Sequence, residues 1–204
     1  MRLILVRHGE TLWNETHKFQ GISDMELSSK GRWQAQSLAK SLKGETLAAV
    51  YTSPLIRARQ TAEEIARYHD CPVSIDEELR ELHQGTLEGL TVEELKQNYP
   101  QFLKRWIQEP ESTCLPGGES LGNLQNRAWT AIERIIKEFP DETVVVVAHS
   151  FVNQVVLCRV LEAPLHCFRR FRQDAAGKNV IEFSERGAIL RSFNDTCHLN
   201  EGAG

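Results

Sequence analysis

Two histidines in this chain stand directly after short apolar runs. Leu3 to Val6 leads into Arg7-His8-Gly9-Glu10-Thr11, and Thr143 to Ala148 (TVVVVA) leads into His149-Ser150. Apolar runs this short, with β-branched members, read as strands buried on both faces. In an open α/β sheet, ligands bind beyond the carboxyl ends of the strands. If these two strands are parallel neighbours, both imidazoles sit at that edge, and Gly9 lets the backbone turn sharply and a ligand approach closely. Arg57 adds a cation. It follows Ser53-Pro54, which reads as a helix cap with proline in the first position. A helix start attracts anions, and a guanidinium fork suits phosphate. Arg7-His8 alone reads as a strand that happens to stop at a polar turn. Two such strand ends with an arginine at a helix start point to an anion site flanked by two imidazoles.

Elements that place these residues alternate along the chain. A loop at 17–26 crosses the top of the sheet. Ser28 or Ser29 caps a helix with Ala35, Leu38, Ala39 and Leu42 on one face, stopped near Gly44. Leu47 to Thr52 reads as a strand, the helix after Ser53-Pro54 runs through Ala58, Ala62 and Ile65, and Pro72 to Ile75 reads as a short strand. The stretch 77–118 differs in texture: it is acidic, holds Gly85 and Gly89, and has helical segments near Thr91 to Asn98 and around Trp106. It reads as an excursion over the active face. A long helix follows from near Glu119 through Phe139, then the central strand, then a helix at about 152–161. Lys178 to Ser184 and Ala188 to Phe193 flank a three-residue turn, Glu185 to Gly187, as a hairpin. The tail from Asn200 reads as disordered. The alternation predicts an α/β fold, a three-layer α/β/α arrangement with a mostly parallel central sheet, in one domain over 1–204 with a cap excursion at about 77–118.

Composition narrows the function classes. The 204 residues are 41% hydrophobic and 25% charged, as in an ordinary globular domain. A formal net charge of −4 gives no basic footprint for nucleic acid or an anionic membrane. No apolar run nears the roughly 20 residues needed to span a bilayer, and the N-terminus lacks a signal-peptide profile. Five scattered cysteines without a CxxC pair or metal-ligand spacing read as reduced thiols of a cytoplasmic protein.

Arg7-His8-Gly9-Glu10-Thr11 with Asn14 resembles the signature of the histidine phosphatase superfamily, the phosphoglycerate-mutase-like enzymes with a phosphohistidine intermediate. Further matches follow in order: Gln20-Gly21, Leu27-Ser28, Tyr51-Thr52-Ser53-Pro54-Leu55 with Arg57 and Thr61, Leu79-Arg80-Glu81, Gly85 to Gly89, Gly117-Gly118-Glu119-Ser120, and Val146-Val147-Ala148-His149. The resemblance implies a phosphoglycerate-mutase-like fold with a small helical cap. It also implies roles: His8 as nucleophile, Arg7, Arg57 and His149 binding phosphoryl oxygens, Asn14 as a neutral donor, and Glu81 as general acid and then base. A histidine nucleophile splits one displacement into two. Fixed cations stabilise the equatorial oxygens of a transferring phosphoryl group. The arginines should lower the pKa of His8, and Glu81 must start protonated, through apolar burial or a neighbouring negative charge. No metal or other cofactor is expected, because the arginines take the place of a magnesium ion.

Ser150 departs from the glycine usual after the second histidine and would bring a hydroxyl near the phosphate. Thr11, Gln20, Gly21 and His83 join Asn14 and Ser150 as candidate substrate contacts, and Gln84, Lys104, Arg105 and Trp106 as candidate specificity residues. His198, in an ending similar to that of several small bacterial members, could fold back over the site. The short connection from Glu81 to Gly117 favours net hydrolysis of a small phosphorylated metabolite, as by α-ribazole, phosphoserine or broad-specificity phosphatases, over a phosphoglycerate mutase. A non-catalytic phospholigand-binding protein would be marked by loss of His8 or Glu81. The 178–193 hairpin offers a sheet edge for a homodimer.

Overall fold

The computed structural model describes residues 1–200. The expectation for the tail beyond Asn200 concerns residues outside that range. Strand β4 (Thr143–Ala148) is central because its valines bury both faces: Val144 to Val147 are fully buried. It is flanked in parallel by β1 (Arg2–Arg7) and β2 (Ala49–Thr52). The sheet has six strands in the order β3-β2-β4-β1-β5-β6, with β3 at Val73–Ile75, β5 at Lys178–Ser184 and β6 at Gly187–Asp195. β3 is parallel to β2, whereas β5 and β6 run antiparallel, so the sheet is mixed and mostly parallel. The hairpin pairs Ser184 with Gly187, which leaves a two-residue turn, Glu185-Arg186, rather than the three-residue loop expected. Gly187 takes a φ of +108°, which suits glycine at the turn exit.

Alternate residues of each central strand feed opposite layers, the period-2 geometry of a strand. Ile4, Val6, Val50, Val145 and Val147 face helices α2 (Ser29–Leu42) and α3 (Ile56–Ala66). Leu3, Leu5, Tyr51, Val144 and Val146 face α6 (Leu121–Glu138) and α7 (Ser150–Val160). Ser28 caps α2 by accepting from the Gly31 N–H, as expected, and the helix ends at Lys43 in right-handed backbone, so Gly44 is not a left-handed stop.

The stretch 77–118 contributes no strand and two helices, α4 (Val92–Asn98) and α5 (Pro100–Gln108). Thr91 and Glu94 form a reciprocal capping box at the start of α4. Leu82, Leu87, Leu95, Trp106 and Leu115 join the same apolar layer as α6 and α7, so this stretch is anchored over one end of the sheet. Among the described residues no helix is long and apolar enough to cross a membrane, and the five cysteines are unpaired.

Candidate active site

Register puts the two histidines side by side. β1 and β4 pair in parallel with Arg7 opposite Ala148, so the next residues, His8 and His149, leave the sheet together. Their ring centroids lie 5.1 Å apart with planes at 62°. Both rings are buried. The Nδ1 of His8 lies 2.6 Å from the Gly9 carbonyl, an acceptor only, so Nδ1 carries the proton. The lone pair is then on Nε2, which accepts from Nε–H of Arg57 at 3.2 Å. Burial is the main force holding His8 well below the usual imidazole range, and Arg57 and Arg7 add to it. His149 is depressed by the same burial and by Arg57. Its Nε2 lies 2.7 Å from Oγ of Ser53, and its buried Nδ1 has no partner.

Arg57 is nearly inaccessible at 1% exposure. Its Nη1 and Nη2 donate to the carbonyls of Ser23 and Gly21, each at 2.8 Å, so the loop at 17–26 is folded onto the guanidinium. Burial brings its pKa down to about 10, which still leaves it charged at neutral pH. Gly21 meets this arrangement with a φ of +52°, in space where a Cβ would strike Glu88. Glu88 in turn accepts from the Ile22 and Ser23 N–H groups and fixes the loop. The helix that carries Arg57 begins later than the Ser53-Pro54 pair suggests. Its N-cap is Leu55, and the capping acceptor comes from the loop: Asp24 Oδ1 takes the Ile56 N–H at 2.7 Å. Ser53 Oγ meets His149 and accepts the N–H of Leu55, the residue before the helix, rather than one within it.

Arg7 donates Nη1 to the Gln173 carbonyl at 2.6 Å, while its buried Nε has no partner. Glu81 reaches the same place from the segment between the short turn at Glu77–Leu79 and the cap helices. It is buried, and its oxygens accept from the N–H groups of Leu82 at 2.9 Å and Phe151 at 3.3 Å, the latter in the first turn of α7. Burial raises its pKa above the usual carboxylate range, against the opposing pull of those donors and of Arg57 and Arg7.

Arg7, His8, Arg57 and Glu81 line a cavity of about 130 Å³ together with Asn14, Gln20, Gly21 and Ser150, whereas His149, fully buried against the His8 ring, does not line it. Thr11 does not line it. Thr11 is buried and caps the four-residue helix α1 (Leu12–Glu15), where its N–H and hydroxyl donate to Asn14 Oδ1 and leave the Asn14 amide group for the cavity. His83 is also absent from the wall, because its backbone is pinned to Glu119 through both N–H and carbonyl. Its neighbour Gln84 takes the place instead. Lys18, Phe19 and Phe151 also line the cavity, unsignalled in the sequence except that Phe151 follows His149-Ser150. Of the cap residues, Lys104 and Arg105 stay outside this cavity, and Trp106 borders a neighbouring one. His198 sits in a short turn, Cys197–Leu199, packed against α2 rather than over the site.

The Gly117-Gly118-Glu119-Ser120 motif acquires a structural meaning. Arg127 of α6 donates to the carbonyls of Glu78, Arg80 and Glu81 and pairs with Glu119 at 2.6 Å, and Glu119 accepts from the His83 N–H. A Cβ on Gly118 would fall 2.1 Å from the His83 carbonyl. The motif therefore clamps the strand of chain that carries Glu81. Among the described residues no three His, Cys, Asp or Glu side chains are grouped as metal ligands.

The chain matches known proteins along nearly its whole length. The chain is 38% identical over 201 residues to phosphoserine phosphatase 1 of Hydrogenobacter thermophilus, covering 98% of this chain and 95% of the relative. It is 32% identical to a probable phosphoglycerate mutase GpmB of Yersinia enterocolitica, with coverage of 98% and 95%. The Bacillus stearothermophilus YhfR structure superposes with a TM-score of 0.91 at 33% identity over 97% of this chain and 98% of that one. The family model of the histidine phosphatase superfamily (branch 1) matches residues 3–196, so the chain belongs to that superfamily.

Proposed function

We propose that the protein is a metal-independent phosphomonoesterase that hydrolyses a small phosphorylated metabolite through a phosphohistidine on His8. The observation that carries this reading is the state of the His8 ring: buried, neutral, its Nδ1 proton held by the Gly9 carbonyl and its Nε2 lone pair met by Arg57 at the wall of the cavity that Arg7, Arg57 and Glu81 also line. Nε2 attacks phosphorus and forms a P–N bond as the ester P–O bond breaks. The protonated Glu81 gives its proton to the departing alkoxide, which leaves as the alcohol. Glu81, now a carboxylate, takes a proton from water. The resulting hydroxide attacks phosphorus, the P–N bond breaks, and inorganic phosphate leaves with His8 neutral again. The Gly9 carbonyl stabilises the positive ring of the intermediate through Nδ1–H. Arg7, Arg57 and the start of α7 stabilise the oxygens, with Asn14, Gln20 and Ser150 as neutral contacts.

Five unpaired, scattered cysteines support a cytoplasmic setting. Among the described residues β6 pairs only with β5, and it exposes Ile189 and Phe193, which supports a homodimer formed along that edge. The test of the mechanism is p-nitrophenyl phosphate turnover in EDTA together with acid-labile labelling of the chain. His8→Ala should abolish both, and a mutant that still labels rules out His8 as the nucleophile. The resemblance to a probable phosphoglycerate mutase supports a second reading, phosphoryl return to an acceptor instead of water. Conversion of 3- to 2-phosphoglycerate faster than phosphate release would establish it.

A further inference from the structure

The phosphate cavity adjoins a second cavity of about 400 Å³, and Phe19, Gln84, Ser150 and Phe151 line both. That volume lies within the range of small-molecule sites. The far wall is a chain of rings. Phe102 stacks with Trp106 at 6.0 Å, Trp106 meets Phe168 edge-on at 6.2 Å, and Phe168 lies 5.8 Å from Phe151. The opposite wall comes from α4 and its neighbours, with Leu87, Val92 and Leu95. Among the described residues on these walls Arg169 is the one charged side chain, and it lies over the Phe168 ring at 4.8 Å. No carboxylate is present there to meet an ammonium group.

We propose, resting on the phosphomonoesterase reading above, that this cavity holds the leaving group, and that the enzyme prefers phosphomonoesters of alcohols bearing an extended apolar or aromatic group. The small phosphate cavity fixes the phosphoryl end, and the shared Phe151 directs the ester oxygen's substituent along the ring wall. A compact, doubly charged alcohol such as serine would leave the rings uncovered and gain little beyond the phosphate contacts. Each methylene buried against the wall is worth up to about fourfold in binding at ordinary transfer free energies, and a flat ring adds stacking on Trp106 and Phe168.

The experiment compares kcat/KM for ethyl, n-hexyl and 2-phenylethyl phosphate with O-phosphoserine. The three simple alkyl esters have leaving groups of similar basicity, so differences among them report binding. The expected result is at least a tenfold rise from ethyl to hexyl and to 2-phenylethyl phosphate. A second measurement uses Val92→Glu. Val92 is 40% exposed at the first position of α4, where an acidic residue is compatible with the helix start. The hexyl-to-ethyl ratio should fall at least threefold in this variant. A hexyl-to-ethyl ratio within twofold of one, O-phosphoserine outrunning 2-phenylethyl phosphate, or a ratio untouched by Val92→Glu would overturn the proposal while leaving the hydrolase reading intact. Absence of turnover on every ester together with absence of acid-labile label would overturn both.

Discussion

Arg57 donates its Nε–H to Nε2 of His8 at 3.2 Å, so the guanidinium that meets the His8 lone pair also adds to the burial that depresses the pKa of the ring. Two carbonyls of the loop at 17–26 hold the other two nitrogens, which leaves Arg57 rigid before any substrate binds. A preorganised cation of this kind stabilises developing phosphoryl charge without reorganisation. Arg57→Gln should lower kcat/KM about 10²–10³-fold, the scale of a lost oxyanion donor. It should also move the acid limb of the pH profile upward, since removing a positive neighbour makes His8 easier to protonate. A pH–kcat/KM profile checks this, and an acid limb that stays in place would remove Arg57 from the control of His8.

In the proposed mechanism Glu81 is protonated for the first step, while His8 is neutral. His8 loses its proton well below pH 6.5, and Glu81 keeps its proton above the ordinary carboxylate range because it is buried. Activity on alkyl phosphates should therefore fall as pH rises through the raised pKa of Glu81. Glu81→Gln should cost about 10²–10⁴-fold on alkyl phosphates. With p-nitrophenyl phosphate, whose phenolate needs no proton, the variant should release a burst of product and accumulate phosphoenzyme. A burst-free, steady-state loss on both substrates would count against the acid and base roles.

Arg127 touches no part of the cavity, yet it holds the Glu78, Arg80 and Glu81 carbonyls and pairs with Glu119. Arg127→Met takes the guanidinium from these carbonyls and leaves Glu119 with the His83 N–H but no cation, at a stability cost of about 1–3 kcal/mol. If Arg127 positions Glu81, kcat on an alkyl phosphate should drop several-fold more than on p-nitrophenyl phosphate. Equal losses on the two substrates would leave it a purely structural role. Urea denaturation and the paired kcat values make the comparison.

Stability should depend on pH through the same buried groups. The folded pKa values of His8 and His149 are depressed, so below pH 6.5 the unfolded chain binds protons that the native chain does not. Stability falls on acidification in that window, by about 1.4 kcal/mol per pH unit for each histidine. The raised pKa of Glu81 acts with the opposite sign: its contribution is full below its unfolded pKa and is lost as pH rises through the folded value. Urea midpoints at pH 7, 6 and 5.5 should decline in that order. A flat series would show that the two imidazoles are not held neutral in the fold.

Local sequence determined that Leu3 to Val6 and Thr143 to Ala148 are interior strands, because such runs can be satisfied only by burial on both faces, while their parallel pairing was settled by the fold. Sequence offered His8 and His149 as neighbours only if these strands paired in parallel, and the resemblance of the ordered motifs implied that Arg7, Arg57 and Glu81 share their chemistry. Tertiary structure alone decided the rest, since each remaining choice turns on contacts between residues far apart in the chain. Asp24 rather than Ser53 caps α3, across 32 residues of separation. His83 is withdrawn by Glu119, Thr11 supports Asn14 from behind, and Lys18 and Phe19 enter from a loop with no period of its own. The ring wall from Phe102 to Phe151 joins α5, a turn near Phe168 and α7, and no local pattern in any of the three foretells that they meet. Strand periodicity is a local consequence of burying side chains, whereas a cavity is made by the distance between elements, which only packing sets.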